Sequence, residues 1–168
     1  NSEGMPNNST GVSSSVNTTS LIYGKQTSAL IEDTSTGIHQ ASYVCDVLTS
    51  TGEYVANVYV KNLRSDRAVA VRAFNNSGYG DETFTYFNNL GQEVYQTGID
   101  RGIIECKVLP NNILHFIIKE TATALSALPA YVTLRFQEVG NYNSTATYTG
   151  DGNNICEVAL PQLEKGTN

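Results

Sequence analysis

Two histidines, His39 and His115, are the natural candidates for a general base, and they stand far apart in the chain. A nucleophile needs such a base beside it and a third group to orient the base. No G-x-S-x-G, H-E-x-x-H or phosphate-loop pattern supplies that set. His39 sits among Thr34, Thr36 and Gln40, where a structural hydrogen bond is the plain reading. His115 interrupts an apolar run, so its ring is expected at a polar edge or against a neighbour. Glu32 and Asp33 are adjacent, which in a strand puts them on opposite faces and prevents them from acting as a carboxylate pair. Asp81 in GYGDE and Asp151 in TGDGNN lie in loops whose oxygens can be offered to a cation, although the spacing of a calcium loop is absent. A solvated turn is the default for both, with a structural calcium as the alternative. The residues therefore predict no catalytic site, no metal site and no required cofactor.

The three cysteines, Cys45, Cys106 and Cys156, each lie among β-formers, in YVCDV, IIECKV and NICEVAL. Their odd number and wide spacing fit neither a disulfide framework nor a zinc site. They read as small buried hydrophobes, which suggests assembly in a reducing cytoplasm, with closure of one pair left open.

The elements that must position these residues have a period of two. TSALIEDT (27–34), ASYVCDVL (41–48), EYVANVYVK (53–61), RAVAVRAF (67–74) and ETFTYF (82–87) alternate or are rich in β-formers. So do GIIECKVL (102–109), NILHFIIKETATA (112–124), YVTLRFQEV (131–139), STATYT (144–149) and NICEVAL (154–160). Turn-forming stretches such as TSTG, NNSGYGD, LPNN and TGDGNN separate them. No long segment carries a 3.6-residue apolar stripe; TALSALPA (123–130) has room for one short helical turn before Pro129. The prediction is an all-β jelly-roll sandwich of two antiparallel sheets over residues 21–168. Val69, Val71 and Ala73 share a face. Phe116, Ile118, Val132, Leu134 and Phe136 are the expected core, and Val55, Val58 and Val60 straddle both faces of their strand.

Residues 1–20, NSEGMPNNSTGVSSSVNTTS, read as a polar extended arm. Their apolar surface is too small to offset the entropy of ordering them. Such an arm is expected to become ordered only on a partner. Five Asn-x-Ser/Thr sequences, at Asn7, Asn8, Asn17, Asn75 and Asn143, are read as exposed loops first and glycan acceptors second. The net charge of −6 and the absence of a basic run argue against nucleic acid as partner. No apolar stretch reaches the length of a membrane span. A start at Asn1, without initiator Met or signal peptide, is expected of a processed chain, a tagged chain or a piece of a longer one, with Met5 as an alternative natural start.

Three stretches, in order, resemble one family. TSALIEDTSTGIHQASYVCDVLTSTGEYVANVYVKN (27–62), LPNNILHFIIKETATA (109–124) and TYTGDGNNICEVALPQLEKGTN (147–168) resemble the carbohydrate-binding-module-like jelly rolls of bacteriophage structural proteins. The resemblance implies a virion component without enzymatic activity: a fibre, an appendage or a capsid-decorating module. It would be assembled in the host cytoplasm and carried outside in the particle, with other virion proteins or copies of itself as partners. It also implies that Pro161 closes the last strand and that Gln162 to Gly166 turn away from the sheet. The resemblance places Cys45 and Cys156 on different strands, as the pair nearest to a bridge.

Where the family has a Trp-Tyr-Arg triplet, this chain has Ile113, Leu114 and His115, and it contains no Trp. Sugar-binding jelly rolls stack sugars on flat aromatic rings. Tyr79, Tyr142 and Tyr148, with Asp81 and Asp151 nearby, are the candidate carbohydrate-binding residues that remain. Two alternatives to the structural role follow. One is a carbohydrate-binding module directed at cell-surface glycan. The other is a pilus-like subunit that donates an N-terminal strand, with LIYGKQTSALIE (21–32) as the donor.

Overall fold

The computed structural model describes residues 6, 8–22, 24–45, 47–74, 84–97, 103–123, 125, 129–159 and 161–166. Among them there is no helix, and therefore none long and apolar enough to cross a membrane. The strands are β1 (Asn8–Thr10), β2 (Val12–Ile22), β3 (Lys25–Glu32), β4 (Thr36–Val44), β5 (Gly52–Lys61), β6 (Arg67–Phe74), β7 (Thr85–Phe87), β8 (Glu93–Gln96), β9 (Ile103–Leu109), β10 (Ile113–Ala122), β11 (Tyr131–Glu138), β12 (Thr147–Thr149), β13 (Asn154–Ala159) and β14 (Gln162–Lys165). Two antiparallel sheets of seven strands form a sandwich. The first runs β1-β4-β11-β6-β7-β8, with β12 also on β4. The second runs β2-β3-β13-β5-β10-β9, with β14 also on β5.

The period-two pattern explains the core. Along β5, Tyr54, Ala56, Val58 and Val60 are buried, while Val55, Asn57 and Tyr59 are half-buried on the opposite face. Leu30, Phe116 and Ile118 join them from the same sheet. Tyr43, Val69, Val71, Ala73, Val132, Leu134 and Phe136 meet them from the other sheet. Every residue expected in this core from β6, β10 and β11 is buried. None of the three cysteines forms a disulfide. Cys156 lies inside the core, and half-buried Cys45 and Cys106 pack against it. Burial pushes the Cys106 thiol up to about 11 and raises Cys156 as well. No bridge joins Cys45 to Cys156.

Two expectations are corrected. Residues 8–20 are part of the sandwich and not an arm reaching away from it. β1 pairs with β4 through Asn8↔Ser42, Ser9↔Ala41 and Thr10↔Gln40, and β2 pairs with β3 from Val12↔Glu32 onward. The boundary drawn after residue 20 falls inside β2. Backbone pairing does here what side-chain hydrophobicity could not, and Val12 adds a buried anchor at 6 % exposure. Gly11, at φ +62°, carries the chain from the first sheet to the second; a Cβ there would stand 2.6 Å from the Ile38 carbonyl oxygen. The proposed donor segment includes β3, which is an interior strand between β2 and β13 of its own sheet.

The closing segment is the second correction. β13 pairs with one half of β5 (Glu157↔Lys61, Val158↔Val60), and β14 pairs with the other (Gln162↔Asn57 through Lys165↔Tyr54). The chain does not leave the sheet at Pro161 but continues along the same neighbour. Pro161 is buried in the gap between the two strands, where its missing N–H costs no ladder bond. The Gly166 amide closes the segment on the Glu53 carbonyl at 2.8 Å. Of the possible helical turn at 123–130, residues 123, 125, 129 and 130 are not helical and the others lie outside the described residues.

Candidate functional site

The densest chemistry gathers at one end of the sandwich, around Glu32. As the last residue of β3, Glu32 points its side chain inward, and that side chain is fully buried. Asp33, one residue on, is exposed, as the opposite-face argument requires. A buried carboxylate is costly unless every lone pair is met. Here Arg67 donates twice, from Nη2 to Oε1 at 2.6 Å and from Nε to Oε2 at 3.0 Å. The Tyr148 hydroxyl donates to Oε2 at 2.7 Å. Arg64 Nη1 and the Asp151 amide reach Oε1 at 3.3 and 3.2 Å.

The turn after β5 carries Arg64, and β6 opens on Arg67. The turn is pinned by the Arg64 amide on the Ile155 carbonyl and by the Arg67 amide on the Arg64 carbonyl, at 3.0 and 3.1 Å. Arg64 then bridges outward. It grips Asp151 with two bonds, at 2.9 and 2.8 Å, and Asp66 with two more, at 3.0 and 2.6 Å. These guanidinium bonds hold the Asp151 and Asp66 carboxyls well below the usual carboxylate range. Arg67 also lies over the Tyr148 ring, 4.8 Å from its centroid, and His39 packs on the same ring at 4.2 Å. Burial, and then the bond to Glu32, pushes the Tyr148 hydroxyl far above its ordinary range.

Behind Tyr148 the packing is tight. His39 is wholly buried, with Nδ1 3.1 Å from the Gly37 carbonyl and Nε2 3.4 Å from Asp33 Oδ1. That second approach lacks hydrogen-bond geometry. Gly150 must be glycine, because a Cβ would fall inside the Asp33 carbonyl. The cluster's carboxylates are occupied by arginines, and its hydroxyl is a poor acid.

The sequence-predicted site residues separate accordingly. Tyr148 is buried at 4 % exposure and cannot serve as a sugar platform; its ring is a floor for Arg67 and His39. Asp151 is exposed, and both its oxygens accept from the Arg64 guanidinium. Tyr142 lies elsewhere, half-buried over the outer face of the first sheet, and stacks in parallel on Tyr95 at 5.4 Å. Beneath that pair lie Phe84, Tyr86, Ala68, Ala70 and Ala146. Arg135 lies 4.1 Å over the Phe84 ring while its fork holds Gln40. Tyr79 and Asp81 lie outside the described residues. Among the described residues no three His, Cys, Asp or Glu side chains gather as metal ligands. His115 is half-buried on the outer face of the second sheet, stacked on Tyr59 at 4.2 Å and bonded to Asn57 at 2.9 Å.

Sequence reasoning missed Glu32, Arg64, Asp66 and Arg67 as one unit. The signal available was an R-S-D-R turn directly after a buried strand, which places two guanidiniums where one buried glutamate can reach them. No family model matches the chain, and no curated protein matches it.

Proposed function

We propose that this chain is a non-enzymatic structural module of a bacteriophage particle: a jelly-roll sandwich in a fibre, an appendage or a capsid-decorating position, serving assembly and attachment. One observation carries the reading. The three stretches that resemble phage jelly rolls are far apart in sequence, yet they supply β3, β13, β5 and β10, which are neighbours in one sheet, and β4 and β12, which pair with each other in the other. The first and third are joined directly by the Asp151 amide on Glu32. Residues that resemble one family thus meet as one physical unit. The order β3-β13-β5-β10 against β4-β11-β6-β7 supports a jelly-roll connectivity within the sandwich. The charged cluster consumes its own functional groups, which suits a rigid module better than an enzyme. Quantitative mass spectrometry of purified particles of the phage encoding this chain is expected to find it at a fixed copy number. Complete, infectious particles without it would overturn the proposal.

A carbohydrate-binding role is the second reading, favoured by the Tyr95–Tyr142 stack at the surface of the first sheet. Its test is a glycan array in which Tyr142→Ala abolishes a signal that the parent chain gives. No signal from the parent chain would remove this reading.

A further inference from the structure

β2 is the outermost strand of the second sheet. β3 pairs with one side of it, and no described strand pairs with the other. Long open edges invite pairing, and proteins normally blunt them with charge, proline or shortness. The other edges here are blunted. β1 has 3 residues and β8 has 4. β9 displays Glu105 and Lys107 as an exposed pair at 3.3 Å. β2 has 11 residues, VSSSVNTTSLI, with neither a charge nor a proline, in a chain of net charge −6; its register with β3 is regular from Val12 to Asn17 and shifts before Leu21, so the open regular edge is Val12–Asn17.

The ladder phase identifies which groups face outward. The Gly11 carbonyl accepts from the Asp33 amide at 2.9 Å, so the bonded positions toward β3 are the odd ones, Ser13 and Ser15. Val12, Ser14 and Val16 therefore turn their N–H and C=O groups away from β3. Glu32, opposite Val12, agrees: its amide points the other way, to the Asn153 carbonyl at 3.1 Å.

We propose that β2 pairs with β2 of a second copy, antiparallel about a two-fold axis at Ser14, and so joins two second sheets into one. In that register Val12 meets Val16 of the copy and Ser14 meets Ser14. Every outward N–H and C=O of these residues finds a partner. A strand that satisfies itself under a two-fold operation favours a second copy over an unrelated strand. The side chains agree. Val12, Ser14 and Val16 share the core-facing side of β2, where Val12 is 6 % exposed but Val16 is left 40 % exposed at the open margin. Val12 of the copy would lie against Val16 and close that margin. Absence of charge on β2 means that no like charges meet across the axis.

The test uses the full chain and does not depend on the module's place in a particle. Light scattering across the micromolar range is expected to give twice the 18.2 kDa chain mass. Ser14→Pro removes an N–H without a partner in its own sheet, so it should yield a folded monomer. Val16→Lys should do the same from an exposed position, and it stands in if the proline variant does not fold. Under oxidation, Ser14→Cys should cross-link copy to copy and Ser13→Cys should not, each compared with the background of the parent thiols. A monomeric parent chain would overturn the proposal. So would a dimer indifferent to Ser14→Pro and Val16→Lys, or equal cross-linking at both cysteines. Slow hydrogen exchange at the Val12, Ser14 and Val16 amides of a monomer would overturn it too, because another segment would then cover the edge.

Discussion

Glu32 shows what one residue can demand of a fold. Its side chain is removed from water and bonded by Arg67, Arg64, Tyr148 and the Asp151 amide. Arg67→Ala leaves that carboxylate without its main partner, and removal of one member of a buried pair costs about 3–5 kcal/mol. Denaturant unfolding should show a loss of that size, whereas Tyr148→Phe, which deletes one donor, should cost about 1–3 kcal/mol. Tyr43 gives the opposite case. Its hydroxyl is buried in the core with no hydrogen-bond partner among the described residues. Tyr43→Phe is therefore expected to leave the melting temperature unchanged or raise it; a clear fall would mean that the hydroxyl is bonded. The sequence separated Glu32 from Asp33 correctly, because alternation is local. It could not pair Glu32 with Arg67, Tyr148 and Asp151, since those contacts depend on how distant strands stack.

At the level of elements, strands with a regular apolar alternation were legible and those without it were not. β5 and the first half of β10 alternate buried with less buried positions, whereas β6 and β11 are buried on both faces over much of their length. β1 and β2 are built from Asn, Ser and Thr, with few apolar side chains to mark them. They are strands because an existing sheet edge offers them a ladder. β14, QLEK, carries one apolar residue and extends β13 along β5 after the interruption at Pro161. Gly11 and Gly150 mark where elements meet too closely for any other residue. Gly150→Ala should lower the melting temperature markedly, because the Asp33 carbonyl occupies the space its methyl group needs. Gly152→Ala, two residues on, has room for its methyl group but sits at φ +78° and should cost less. Equal losses at both positions would contradict the packing argument.

Across the whole molecule, the charge network links the acid stability of the sandwich to one arginine. Asp151 and Asp66 have folded-state pKa values depressed chiefly by hydrogen bonds from Arg64. A depressed carboxylate is protonated first in the unfolded chain. Its stabilisation is therefore present above the unfolded value of about 3.9 and is lost as pH falls toward the folded value. The melting temperature should decline from about pH 4 downward, and Arg64→Met should flatten that decline. An unchanged acid limb in Arg64→Met would remove Arg64 from this role. The same network ties β3, the turn after β5, and the segment after β12 into one end of the sandwich, so its strength bears on every larger conclusion. The most direct measurement is a double-mutant cycle between Glu32→Gln and Arg67→Met, read by denaturant unfolding of the full chain. Residues that act as a buried unit should show a coupling of about 1–3 kcal/mol, each single variant losing much of what the pair loses together. Additive losses, within a few tenths of a kcal/mol, would mean that this cluster does not hold the fold, and the reading of the chain as a rigid structural module would lose its physical basis.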